Sequence, residues 1–235
     1  MHKNTAALIL GMAAGLLALY CPGPRVADAA VGCTLTNPAQ DLKYLFSDIT
    51  SYKEELRNLS KMKDGKALYA ALKERLESDL DPVYETYETP YTVYVIFKGS
   101  DILGYVHGVN VPGQGGVIQV FLSADPKTGT VRRVFFQRIE SAASRAFRSK
   151  DFADQFRGLT LADFYNHDLY RSADPGSEKD VVGRIKNPAP NEKSDFNAAL
   201  RGVRKNLILL DFFVYDRKFE PSYRRVREAL SKPKD

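Results

Sequence analysis

Few residues of this 235-residue chain stand at spacings that do chemistry. The three histidines are His2, His107 and His167. None has a second His, Cys or carboxylate at metal-ligand spacing. His107 reads as a strand residue beside Gly108, and His167 as a loop residue. Of Cys21 and Cys33, the first falls in what reads as an export segment. One remaining cysteine excludes an intrachain disulfide, a C-x-x-C redox pair and a Cys-ligated metal site. There is no G-x-S-x-G elbow, no P-loop and no G-x-G-x-x-G opening a helix, and no pair of carboxylates is singled out for acid–base work. Nothing here speaks for a hydrolase or for a metal centre. An ordered constellation remains: a glycine loop with Gly113, Gly115 and Gly116, the pair Glu140-Ser141 ending a strand, and the pair Lys193-Ser194 opening a helix. The glycines remove side chains where a planar group could approach the backbone, or they only shape a turn. A helix start carrying a hydroxyl and a lysine is a seat for phosphate, or Ser194 is only a cap. Glu140 reads equally as a solvated strand end.

The elements that must position these residues follow from periodicity. Asn37-Pro38 starts a helix, and Leu42, Leu45, Ile49, Tyr52, Leu56 and Leu59 recur at intervals of three and four, which predicts a helix over 39–60. A turn at 61–66 and a second helix carrying Leu68, Leu72, Leu76 and Leu80, stopped at Pro82, complete a helical hairpin. From Tyr91 the pattern changes to β-branched and aromatic residues with period two. Strands are expected over 92–97, 102–109, 117–123 and 130–139, joined by short turns into an antiparallel sheet of about four strands. A helix follows over 146–156, then a long polar loop over 167–191. The last strong helix begins at Ser194, with Ser194 or Asp195 able to cap it, and buries Phe196, Leu200, Val203, Leu207 and Leu210. A short basic segment near 223–230 closes the chain. The fold class is α+β, divided as 30–82 for the hairpin, 83–214 for the sheet domain and 215–235 for the basic segment.

Between about Tyr91 and Leu210 the chain resembles the FMN-binding domain family, the exported flavin domains of Rnf-type and sodium-translocating quinone reductase subunits. The resemblance rests on the G-Y strand at Gly104-Tyr105, the loop and strand Gly113-Gln114-Gly115-Gly116-Val117-Ile118, and the turn ending in Gly129. It continues through Glu140-Ser141, the segment Phe152-Ala153-Asp154-Gln155-Phe156-Arg157-Gly158, and the Ala-rich helix from Ser194. Where the family has E-T-P-G-x-G, this chain has Glu140-Ser141-Ala142-Ala143-Ser144-Arg145. Where the family has S-G-A-T, whose Thr holds FMN phosphate covalently, it has Asn191-Glu192-Lys193-Ser194. The resemblance implies FMN held non-covalently, with Gly113, Gly115, Gly116, Glu140, Ser141, Lys193 and Ser194 as the binding residues. It also implies an electron-transfer role among redox-complex subunits at the membrane. The alternative is a flavin-free domain that acts as an interaction or assembly subunit.

The N-terminus reads as a secretory signal. Lys3 precedes the apolar run 6–20, and Ala27-Asp28-Ala29 offers small residues at a peptidase site. Cleavage after Ala29 is expected; an uncleaved N-terminal anchor and lipidation of Cys33 are the alternatives. This places the protein in the periplasm or on the outer face of the cytoplasmic membrane. Removing Lys3, Arg25 and Asp28 takes the formal charge from +5 to +4. That charge is small and diffuse, so nucleic acid is not an expected partner, and without ligand spacing neither is a metal; the alternating charges read as solvated helix faces.

Overall fold

The computed structural model describes residues 33–81 and 83–232. The expected signal segment over 1–29 lies outside the described residues. Five strands form one antiparallel sheet in chain order: β1 (Ser51–Asn58), β2 (Pro90–Lys98), β3 (Asp101–Pro112), β4 (Val117–Ala124) and β5 (Val131–Ile139). The helices are α1 (Pro38–Leu45), α2 (Gly65–Leu76), α3 (Ser144–Phe147), α4 (Lys150–Asp154), α5 (Leu161–Ala173), α6 (Lys193–Phe213) and α7 (Glu220–Ser231). The α+β class and the antiparallel sheet stand as the sequence reading expects.

The N-terminal helical hairpin is corrected. The stretch read as one helix over 39–60 is α1 followed by strand β1, which pairs with β2 from Ser51 opposite Phe97 to Asn58 opposite Pro90. The helical spacing of Tyr52 and Leu56 misleads, because both side chains stay exposed. The segment instead takes its backbone partners from β2. Lys53, Glu54, Glu55 and Arg57 give it the charged character that keeps a sheet edge from pairing with other chains. A second correction concerns the loop expected from 167: α5 runs on to Ala173. Its start carries a capping box, Thr160 with Asp163, which is readable in the sequence. The basic segment at the C-terminus is helix α7.

Both faces of the sheet are covered, so the central strands are not cleanly alternating. One face carries Tyr91, Val93, Val109, Val120 and Leu122 and packs under α2 and α6, with Leu76, Leu207 and Ile208 in the same core. Tyr223 and Val226 of α7 join this core. The other face, with Tyr94, Ile96, Val106 and Phe121, is closed by the N-terminal segment through Cys33, Leu35, Leu42, Leu45 and Phe46. A strand buried on both sides reads as a continuous apolar run, which is what Val93–Ile96 shows. Burial pushes the Cys33 thiol up to about 11, so it is an inert core group.

His107 is fully buried on β3. Its Nδ1 lies 2.7 Å from Asn206 Oδ1 on α6, while Asn206 Nδ2 donates to the Val120 carbonyl at 2.8 Å. That arrangement makes Nδ1 the donor, and Nε2 is left buried without a protein partner. Burial pulls the imidazole down to about 4, against an ordinary value near 6.5. The unfolded chain therefore binds the proton first. Stability is complete above about pH 6.5 and declines as pH falls toward 4, by on the order of 3 kcal/mol at the low end. Urea unfolding at pH 7 and pH 4.5 checks this: the drop should be larger in the wild type than in His107→Gln. Equal drops would contradict it.

Candidate functional site

Three chain segments far apart in sequence meet at one end of the sheet. The first is the tight loop between β3 and β4, in which the Gly113 N–H donates to the Gly116 carbonyl at 2.8 Å. The second is Glu140 and Ser141, which directly follow β5. The third is the start of α6. The Gln114 N–H donates to Asp195 Oδ1 at 2.7 Å, which ties the loop to the first turn of α6. The structure thus brings the glycine loop beside both Glu140 and the α6 start.

Within this junction the glycines are in close contact with Glu140. A Cβ on Gly115 would lie 1.9 Å from the Glu140 carbonyl oxygen, and one on Gly116 would lie 1.9 Å from Glu140 Oε2. The two contacts differ in kind. The carboxylate is the end of a flexible side chain and can swing away, whereas the carbonyl is fixed in the backbone. Gly116 adds a positive φ of +142°, which disfavours any L side chain. Gly115→Val and Gly116→Val should each lower the thermal midpoint by several degrees, at about 1–3 kcal/mol for forced overpacking or backbone strain. Differential scanning calorimetry checks this, and unchanged midpoints would show that the contact gives way freely. Gly113 faces the Asp195 carboxylate and Ile118 at 2.8 Å from its Cβ position.

The remaining residues divide by exposure. Glu140 is exposed and accepts from Arg138 Nε at 2.7 Å. Ser141 Oγ accepts from the Ala143 N–H at 3.2 Å and so helps shape the turn after β5. Lys193 and Ser194 are exposed. Ser194 is not the cap of α6: the helix begins at Lys193, the cap position is Glu192, and no side chain there caps the first turn. The leading N–H groups of a 21-residue helix therefore lack a side-chain cap. Asp195 is buried at 1% exposure. With Glu192 it places acid at the positive end of the helix dipole.

Sequence reasoning offers Asp195 only as an alternative cap to Ser194; neither caps α6, and Asp195 instead holds the glycine loop through the Gln114 N–H. Sequence reasoning missed two buried ion pairs on α6. Lys205 Nζ sits 2.6 Å from Glu85 Oε2 and also donates to the Asp79 carbonyl at 2.8 Å. Arg75 of α2 reaches Asp211 Oδ2 at 2.6 Å and donates from Nε to the Tyr165 hydroxyl at 2.7 Å. His167 lies on α5, not in a loop, with Nδ1 at 2.7 Å from Asp180 Oδ2.

Among the described residues no group of three or more His, Cys, Asp or Glu side chains gathers as a metal site, and no helix is long and apolar enough to cross a membrane. No protein-family model matches the chain, and no curated protein matches it. Among solved structures, the crystal structure of Shewanella oneidensis NqrC is similar at 13% sequence identity with a TM-score of 0.45, covering 83% of this chain and 90% of that one.

Proposed function

We propose that this chain is an exported FMN-binding module of an extracytoplasmic electron-transfer system, with flavin held non-covalently between the glycine loop and the start of α6. The observation that carries this reading is the meeting of that loop, Glu140 and the uncapped first turn of α6 at one sheet end. The uncapped N–H groups, the Lys193 ammonium and the Ser194 hydroxyl suit a phosphate. The exposed backbone at Gly115 offers a surface without side chains to a planar ring. Bound flavin would supply the redox chemistry, and the protein would bind and orient it. Glu140 and Ser141 stand on the loop side of the same site. Glu192 in place of the family's glycine brings negative charge to the attachment point, so Ser194 is not esterified. The intact mass of protein from a host with the flavin-attaching enzyme should equal that of the bare chain. An added FMN mass that disappears in Ser194→Ala would contradict this.

A second reading has its own observation. The Asp195 carboxylate already accepts the Gln114 N–H, and the Glu140 carbonyl already fills the space beside Gly115. A site completed by the chain's own groups suits a flavin-free interaction or assembly subunit. The visible absorption spectrum of the purified protein with added FMN separates the two.

Export rests on the signal-like order at the N-terminus, and the partners are subunits of a membrane redox complex. The core position of Cys33 favours cleavage after Ala29 over lipidation, because a diacylglyceryl thioether has no room there. Sequencing of the exported protein should read from Ala30. A product retaining Met1, or one carrying a lipid on Cys33, would contradict this.

A further inference from the structure

A cleft of about 340 Å³ lies between α5, α6 and the turn after α2, and nothing in the flavin reading uses it. On α6 its lining is Asn197, Leu200, Arg201 and Arg204. The neighbouring stripe of α6, with Ala198, Ala199 and Val203, is buried in the core. The cleft is therefore on a different helical face from the glycine-loop junction. From α5 it takes Phe164, His167 and Arg171.

Its polar groups are held in place. Asp180, only 6% exposed, accepts from His167 at 2.7 Å through Oδ2 and from the Gly183 N–H at 2.8 Å through Oδ1. The imidazole is fixed through Nδ1, which leaves Nε2 for a ligand. Asp79, nearly buried, accepts from Arg201 Nε at 2.7 Å. This contact orients the guanidinium and leaves its two terminal nitrogens for a ligand. Arg204 bridges Asp168 at 3.0 Å and Asp79 at 3.7 Å, and its Nε is buried without a partner. Arg171, one helical turn beyond His167, adds a third guanidinium.

The lining thus carries three guanidiniums against the carboxylates of Asp79 and Asp168, together with an imidazole held by a carboxylate behind it. Oriented guanidinium forks match phosphate oxygens, and fixing them beforehand lowers the cost of binding. The volume is in the range of small-molecule sites. We infer that the α5–α6 cleft binds a small phosphate monoester, with its phosphate on Arg171 and Arg201 and its phosphate hydroxyl or ester oxygen beside His167 Nε2. This inference is independent of flavin binding.

The test is an NMR titration of the purified protein with inorganic phosphate, glycerol 3-phosphate and glycerol, with sodium chloride holding ionic strength constant. The His167 imidazole resonances should shift and saturate at low millimolar concentration with both phosphates and not with glycerol. Those of His107, shut in the core, should stay still. Arg171→Ala removes an exposed side chain and keeps the fold, and it should weaken binding at least threefold. Arg201→Ala should weaken it about tenfold. Non-saturating shifts equal to those from chloride, saturation with inorganic phosphate but not with the ester, or unchanged affinity in a folded Arg171→Ala protein would each overturn the inference.

Discussion

Arg75→Met should lower the unfolding free energy by about 3–5 kcal/mol, the usual cost of removing one partner of a buried ion pair. Arg75 is 2% exposed and joins α2 to α6 through Asp211, which is fully buried. Its guanidinium also lies 4.8 Å from the Phe212 ring centre and 5.5 Å from that of Tyr165. Removing it leaves the Asp211 carboxylate with the Phe219 N–H as its side-chain hydrogen-bond partner. Burial already pushes the Asp211 carboxyl upward, and Arg75 is the largest influence holding it down. For a domain of this size the loss corresponds to a fall in thermal midpoint of roughly 10 °C. The double variant Arg75→Met with Asp211→Leu should recover most of the loss, because it leaves no unpaired charge in the core. Urea denaturation of the three proteins checks both statements. A loss below 1 kcal/mol for Arg75→Met, or a double variant less stable than the single one, would contradict the assignment.

The second large effect concerns Asp195. Its carboxylate sits in the first turn of α6, where the phosphate is proposed to bind, and a buried negative charge there opposes a second one. Asp195→Asn keeps an oxygen to accept the Gln114 N–H and removes the charge. The change should tighten FMN by about tenfold or more, equivalent to at least 1.4 kcal/mol. It should cost no more than about 1 kcal/mol of helix-end stabilisation. Calorimetric titration of FMN into both proteins measures the ratio. If Asp195→Asn binds no more tightly than the wild type, the phosphate is not seated at the start of α6.

The strands were the most legible part of the chain. Period-two runs bounded by Gly and Pro marked β2 to β5 within a few residues, because their turns, such as that around Gly129, are local in origin. β1 was illegible for the opposite reason. Its apolar residues keep helical intervals, and only the backbone of β2, about forty residues away, makes it a strand. α5 was missed although the Thr160 and Asp163 box announces it; the polar composition after His167 outweighed the cap. The motif residues were found by type, and the structure sets the glycine loop beside Glu140 and the α6 start. Asp195 carried no motif of its own, and its role appears only when the loop comes to rest on it. The ion pairs of Arg75 and Lys205 link residues more than a hundred positions apart, and such contacts leave no mark in local sequence.

The central claim is that flavin binds at the junction of the glycine loop and the α6 start. Calorimetric titration of FMN into the wild-type protein and into the Lys193→Ala, Ser194→Ala double variant tests it most directly. The predicted result is saturable binding in the wild type that weakens at least tenfold in the variant, since each charge-assisted contact to phosphate contributes about 1.5–3 kcal/mol. Absence of binding to the wild type at high micromolar FMN would contradict the claim and leave the flavin-free subunit in its place.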